Sequence, residues 1–222
     1  MDNSIKITSI EDLRLPRDFY MTDGVDLAQK LLGKILVRRI NGNLVKCKIV
    51  ETEAYIGPED KGAHCYKNRK TDRTKYFWQI GGCLYVYSIH QSVCLNIVAN
   101  ADNKPEAILI RAVEPISGID TIKLLRKDTK SSNKTKDIIN LTNGPGKVGA
   151  ALNISKGDNA IDLCTSQDFY LEDSLDEEFE VDRSTRININ YAEEYRFKPW
   201  RFFIKGSPFV SKVKIEHQYI DD

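Results

Sequence analysis

Ile35-Leu-Val-Arg-Arg-Ile-Asn-Gly-Asn-Leu-Val-Lys-Cys-Lys-Ile-Val-Glu-Thr-Glu-Ala-Tyr55 sets two runs rich in Val, Ile and Leu on either side of Asn41-Gly42-Asn43. The Asn-Gly pair tolerates the positive φ of a tight turn, so Ile35–Ile40 and Leu44–Glu53 are expected to form a β-hairpin. Before it, Asp23 stands as an N-cap and Gly33 as a terminator around Val25, Leu27, Ala28, Leu31 and Leu32, whose spacing predicts a helix over Val25–Leu32. After it, strands are expected at Leu84–Ile89, Cys94–Ala99, Ala107–Val113, Phe179–Ile189 and Phe202–Ile204, with helices near Ile119–Arg126 and Lys147–Leu152. Strands outnumber helices and short turns join several of them. The expected fold is α+β, a single domain with a curved, mostly antiparallel β-sheet core and flanking short helices.

The second hairpin strand ends on acids. Strict alternation puts Val45, Cys47, Ile49, Glu51, Glu53 and Tyr55 on one face and Lys46, Lys48 and Thr52 on the other. A carboxylate that closes a core-facing row is costly unless it is paired or functional. Ion pairing of both acids at the rim of the sheet is one reading; Glu51 in particular reads as structural, with Arg38, Arg39 or Arg111 as partner. Tyr85 and Tyr87 share a face of a later strand, so their rings and that of Tyr55 can gather beside a carboxylate. A pocket of flat rings holding one acid suits an extruded purine that is attacked at its sugar carbon.

Two stretches suit phosphates. Lys67-Asn-Arg-Lys-Thr-Asp-Arg-Thr-Lys-Tyr-Phe-Trp78 mixes basic residues with three terminal aromatics, which makes Arg69, Arg73 and Lys75 candidates for nucleic-acid contact. Asn143-Gly-Pro-Gly-Lys-Val148 is no P-loop, since Leu141 stands where the first glycine belongs and Val148 where Ser or Thr is required. It does open a helix at Gly146 and Lys147, where amide groups suit one DNA phosphate.

Composition narrows the rest. The 222 residues suffice for one sizeable core, and a net charge of +1 means that a nucleic-acid partner is held by a local basic surface. Five cysteines without a CxxC spacing, four of them among apolar residues, indicate buried thiols in a reducing compartment. Three histidines (His64, His90, His217), none at a metal-pair spacing, argue against a protein-bound metal. The opening residues lack the basic start and apolar core of a secretory signal, and no 18-residue uncharged apolar run suits a bilayer, so a soluble intracellular protein without membrane contact is expected. Lys123–Lys136 (basic) and Leu171–Asp182 (acidic) read as solvated surface.

The ordered set of motifs resembles the alkyladenine (methylpurine) DNA glycosylases. The likeness runs from Asp18-Phe-Tyr through Leu31-Leu-Gly-Lys-Ile-Leu-Val-Arg, Ile49-Val-Glu-Thr-Glu-Ala-Tyr-Ile-Gly-Pro-Glu-Asp60, Ala63-His, Leu84-Tyr-Val-Tyr, Cys94-Leu-Asn-Ile, Leu109-Ile-Arg-Ala-Val-Glu-Pro, Gly144-Pro-Gly-Lys and Pro199-Trp-Arg-Phe to Lys205-Gly-Ser-Pro-Phe-Val-Ser211. It implies a monofunctional base-excision enzyme, acting as a monomer on duplex DNA with damaged purines and needing no cofactor. It implies Glu53 as general base, Tyr55 and His64 stacked on the flipped base, Tyr87 closing the pocket, Asn96 and Leu109 beside the base, and Arg111 near the backbone. The family's wedge segment, usually Tyr-Gly-Met, here reads Ser88-Ile-His-Gln-Ser-Val-Cys94, one residue shorter; His90 is the expected wedge and Ile89 the alternative. Two other classes stay open, a non-catalytic DNA-binding module on the same scaffold and a bifunctional glycosylase/lyase using a lysine.

Overall fold

The hairpin forms, and it grows into an eight-stranded antiparallel sheet. In the computed structural model, which describes residues 13–89, 92–99, 104–127, 135–174 and 178–212, Asn41 and Gly42 take positive φ (49° and 80°) between β1 (Ile35–Ile40) and β2 (Asn43–Ile56). β2 is the spine. One of its edges pairs with β5 (Glu106–Ser117); the other meets β1 and then, from Glu51 to Glu53, β8 (Arg201–Ile204). β4 (Ser92–Ala99) and β3 (Leu84–Ile89) continue the sheet beyond β5, β6 (Phe169–Glu172) flanks β1, and β7 (Val181–Ser184) flanks β8.

Helices cover one face. They are α1 (Arg17–Tyr20), α2 (Gly24–Lys30), α3 (Ile119–Leu125), α4 (Thr135–Thr142) and α5 (Pro145–Ala151). The Asp23 carboxylate caps α2 by accepting from the amides of Val25 and Asp26, and Gly33 lies past its end at φ 81°. α5 starts at Pro145, earlier than Lys147, because proline loses nothing at the first helical position. It then presses its backbone onto β4, where a Cβ on Gly149 would collide with the Val93 carbonyl. Gly149→Ala is expected to cost about 1–3 kcal/mol, checked by urea unfolding.

The sheet separates two apolar layers. Leu84, Val86, Leu95, Ile97, Ile108 and Ile110 join Leu27, Leu31, Ile122, Val148 and Leu152 in the main core. On the opposite side Tyr85, Val98 and Ala107 pack with Ala63, Cys65 and Phe77 from the excursion between β2 and β3.

The strict alternation expected along β2 does not hold. Ile49 pairs Val113 and Glu51 pairs Ala112, so Val50 is an extra residue; Thr52 then pairs Ile110, which leaves Arg111 out of the ladder on β5. One inserted residue exchanges the faces. Val45, Cys47 and Ile49 point into the helix-covered core, and so do Val50 and Ala54, while the Thr52 hydroxyl bonds the Ala28 carbonyl of α2. Glu53 and Tyr55 are thereby placed opposite the apolar row, not at its end.

Other expectations need correction. Only Val181–Ser184 of Phe179–Ile189 is a strand, because buried Thr185 and Arg186 leave the sheet. The acidic stretch from Leu171 is not all solvated: it begins in β6, where Leu171 is buried and buried Glu172 pairs with Lys46 at 2.7 Å. Among the described residues no helix is long and apolar enough to cross a membrane.

Candidate active site

Register brings the site residues into line before any side chain is considered. Tyr85 pairs Asn96, Asn96 pairs Leu109, Leu109 pairs Glu53, and Glu53 pairs Arg201, a single row across β3, β4, β5, β2 and β8. Residues directly opposite in a sheet share a face. The row therefore lies on the side away from the main core, above which the excursion 57–78 and the loop 185–191 stand. Between them is a cavity of about 280 Å³ lined by Tyr55, His64, Arg73, Tyr85, Tyr87, Asn96, Leu109, Arg111 and Ile187–Ile189, among others.

Its rings form one cluster. Tyr85 and Tyr87 stack at 5.6 Å between centroids, and His64 meets Tyr87 edge-on at 4.6 Å. The Asn96 amide donates to the Tyr85 carbonyl at 3.0 Å, which fixes its side chain on the floor.

Glu53 is fully buried and is not itself in the cavity lining, but its neighbours Tyr55, Leu109, Arg111 and Ile187 are. Its Oε1 accepts from the Ile187 amide at 2.8 Å and faces Arg111 Nη1 at 3.2 Å; its Oε2 accepts from the Tyr55 hydroxyl at 2.9 Å. Burial, and then the Glu53 charge, hold the Tyr55 phenol far above its usual pKa, so it stays a donor. Two carboxylate oxygens offer about four acceptor directions. The hydrogen bonds from Ile187 and Tyr55 use one on each oxygen, Arg111 faces Oε1 as an ion pair, and the second direction on Oε2 has no partner among the described residues.

Glu51 is the structural acid, with more partners than the sequence suggested. Arg111, not Arg38 or Arg39, pairs with it at 2.8 Å, joined by Arg201 at 2.7 Å and by the Ser211 amide and hydroxyl, each at 2.7 Å. Arg38 binds Asp158 instead, and Arg39 faces Asp168.

A second buried pair shapes the rim. Arg186 reaches Asp60 with both terminal nitrogens, at 2.5 and 2.8 Å, and the Ala54 carbonyl at 3.0 Å, with its guanidinium between the rings of Tyr55 and Trp200. Asp60 also accepts from the amides of Ile56 and Gly62. One carboxylate thus ties the turn that carries His64 to the loop that delivers the Ile187 amide to Glu53. The sequence reading missed Asp60, Arg186 and Ile187; Asp60 ends the Gly-Pro-Glu-Asp block, and its place there was the available signal.

Burial, and then the charges of Arg73 and Arg69, lower the His64 imidazole from 6.5 to about 4. Arg69 and Arg73 face it from the following loop, Tyr85 and Tyr87 from β3. Between these two values the unfolded chain binds a proton that the folded chain does not, so this contribution to stability is lost as pH falls from 6.5 to 4. It amounts to about 3 kcal/mol. Relative to wild type, His64→Phe is expected to lose less stability between about pH 7 and 4.5, measured by urea unfolding; equal losses would contradict the assignment.

Of the other expected DNA contacts, Arg69 lines a second cleft of about 320 Å³ with Lys61 and Arg73, and Ile89 is exposed at the end of β3. Lys75 stands 3.6 Å from Asp72, away from the cavity lining. Lys147 donates to Asn143 at 2.7 Å and lines a third cleft that shares Pro145 with the cavity. His90 lies outside the described residues. Among the described residues no group of three or more His, Cys, Asp or Glu is placed to hold a metal ion.

The sequence model of the family described as Methylpurine-DNA glycosylase (MPG) matches residues 18–208. The chain belongs to that family. Membership makes it an enzyme of the DNA glycosylase class. A relative from Natranaerobius thermophilus is 46% identical over 201 residues, covering 90% of this chain and 99% of its own; one from Clostridium novyi is 49% identical, with 90% and 98% covered. A Clostridium perfringens (strain SM101) relative is 44% identical over 207 residues, with 90% and 100% covered. All three are named provisionally as 3-methyladenine DNA glycosylases.

Proposed function

We propose that the protein is a monofunctional DNA glycosylase of base excision repair, acting as a monomer on duplex DNA. It turns alkylated or deaminated purines (3-methyladenine, 7-methylguanine, hypoxanthine, ethenoadenine) into the aromatic cavity and hydrolyses the N-glycosidic bond, leaving an abasic site. The observation that carries this reading is the unused acceptor direction on Glu53 Oε2, beside the Tyr55 hydroxyl and among residues that line the cavity. A water drawn in there gives its proton to Glu53 as its oxygen bonds the anomeric carbon, and the base leaves with the electrons of the old bond. The carboxylate charge also favours the oxocarbenium character that develops on the sugar. Tyr55, His64 and Tyr87 supply faces for the base, with Asn96 and Leu109 beneath it. Arg69, Arg73, Lys75 and Lys147 are the candidate DNA contacts, whereas Arg111, expected near the backbone, is buried and paired with Glu51 and Glu53, and the segment holding Ile89 and His90 fills the gap left in the duplex.

The test uses wild-type protein in excess, with EDTA, on duplexes bearing one hypoxanthine or ethenoadenine and on methylated DNA, followed by hot alkali. Alkali-dependent strand breaks are expected. Breaks without alkali, or a borohydride-trapped adduct, would replace this reading with a lyase, although no lysine among the described residues lines the cavity. Binding to duplex without release of any base would make the protein a non-catalytic module.

A further inference from the structure

Arg73 belongs to the loop expected to hold phosphates, yet its guanidinium turns inward. Its Nη2 lies 3.0 Å from His64 Nε2, and its central carbon sits 5.2 Å from the Tyr87 ring centroid. The other imidazole nitrogen, Nδ1, lies 2.9 Å from the Tyr85 hydroxyl. A guanidinium only donates. Nε2 must therefore accept, the ring proton is on Nδ1, and Nδ1 donates to Tyr85. The opposite tautomer would set two donors against each other at 3.0 Å.

This leaves His64 with no free N–H for a ligand. Arg73 and His64 both line the cavity, so the pair presents a donor while Arg73 is in place and the Nε2 acceptor once Arg73 swings away. Purines differ at just such a position: hypoxanthine and 7-methylguanine carry an acceptor oxygen at carbon 6, whereas 3-methyladenine carries an amino donor. We propose that Arg73 is a specificity-determining residue of this pocket, fixing His64 as the Nδ1–H tautomer and donating to 6-oxo purines, while 6-amino purines are read by Nε2 after Arg73 is displaced. This rests on the glycosylase reading above.

The test compares two bases in one sample. DNA treated with a methylating agent contains 7-methylguanine and 3-methyladenine, both cationic, so charge repulsion by Arg73 and any lost phosphate contact affect both alike and cancel in the ratio. In Arg73→Ala the release ratio of 7-methylguanine to 3-methyladenine is expected to fall about 10-fold, the effect of one lost hydrogen bond. Arg73→Lys, which keeps a cationic donor, is expected to stay within about three-fold of wild type. Nitrogen-15 NMR of the free protein reads the tautomer independently of activity: Nδ1 protonated in wild type, a mixture in Arg73→Ala. A ratio changed by less than about two-fold in Arg73→Ala, or a wild-type ring protonated at Nε2, would overturn the proposal. Wild-type protein that releases neither base fails the glycosylase reading itself, and the selector role with it.

Discussion

Glu53→Gln protein is expected to bind damaged duplex and to release its base about 10²–10⁴ times more slowly than wild type in single-turnover assays. The amide keeps the shape of the side chain. Its oxygen still accepts from the Ile187 amide and faces Arg111, and its nitrogen faces a Tyr55 hydroxyl that is free to rotate into the accepting role. What it lacks is the base that takes a proton from water and the charge that offsets a developing cation. The expected signature is therefore a loss in rate with little change in affinity, together with a lower thermal midpoint because Arg111 loses one of its two buried countercharges. A Gln variant that excises hypoxanthine at the wild-type rate would remove Glu53 from the chemistry and leave it as a ligand of Arg111.

The part of the fold decided by local chemistry was legible. Asn41-Gly42, the Asp23 cap and Gly33 each act through one or two backbone positions, and the elements beside them formed where expected. The inserted residue at Val50 was hidden, because a run of buried residues reads the same whether or not it exchanges faces. Strict alternation therefore assigned Glu53 to the right strand and the wrong layer. Partners distant in sequence were hidden for a related reason. Ser211 meets Glu51, and Ile187 meets Glu53, across long stretches of chain whose closure no local pattern encodes. The aromatic wall fared better: period-two spacing alone put Tyr85 and Tyr87 on one face, and the register then ran Tyr85 through Asn96 and Leu109 to Glu53.

Glu51→Ala is expected to destabilise the protein by about 3–5 kcal/mol, the cost of breaking a buried ion pair from one side. The carboxylate accepts four contacts in a site with no exposed surface: Arg111 from β5, Arg201 from β8, and the amide and hydroxyl of Ser211. Removing it leaves Arg201 with the Ser184 hydroxyl and the Ser211 carbonyl, and Arg111 with the Ser211 hydroxyl and with Glu53 as its one remaining countercharge. The second consequence reaches the chemistry, since an Arg111 released from Glu51 is free to shift on Glu53. Burial pushes the Glu51 carboxyl up, but Arg111, Arg201 and the Ser211 amide outweigh it and hold it below the usual range. A depressed folded-state pKa contributes stability above the unfolded value and loses it as pH falls through the folded one, so the gap between wild type and Glu51→Ala is expected to narrow in acid. Urea unfolding of both proteins across that range measures it. A gap that widened on acidification would mean that Glu51 is protonated in the folded protein and that Arg111 is neutralised by Glu53 alone.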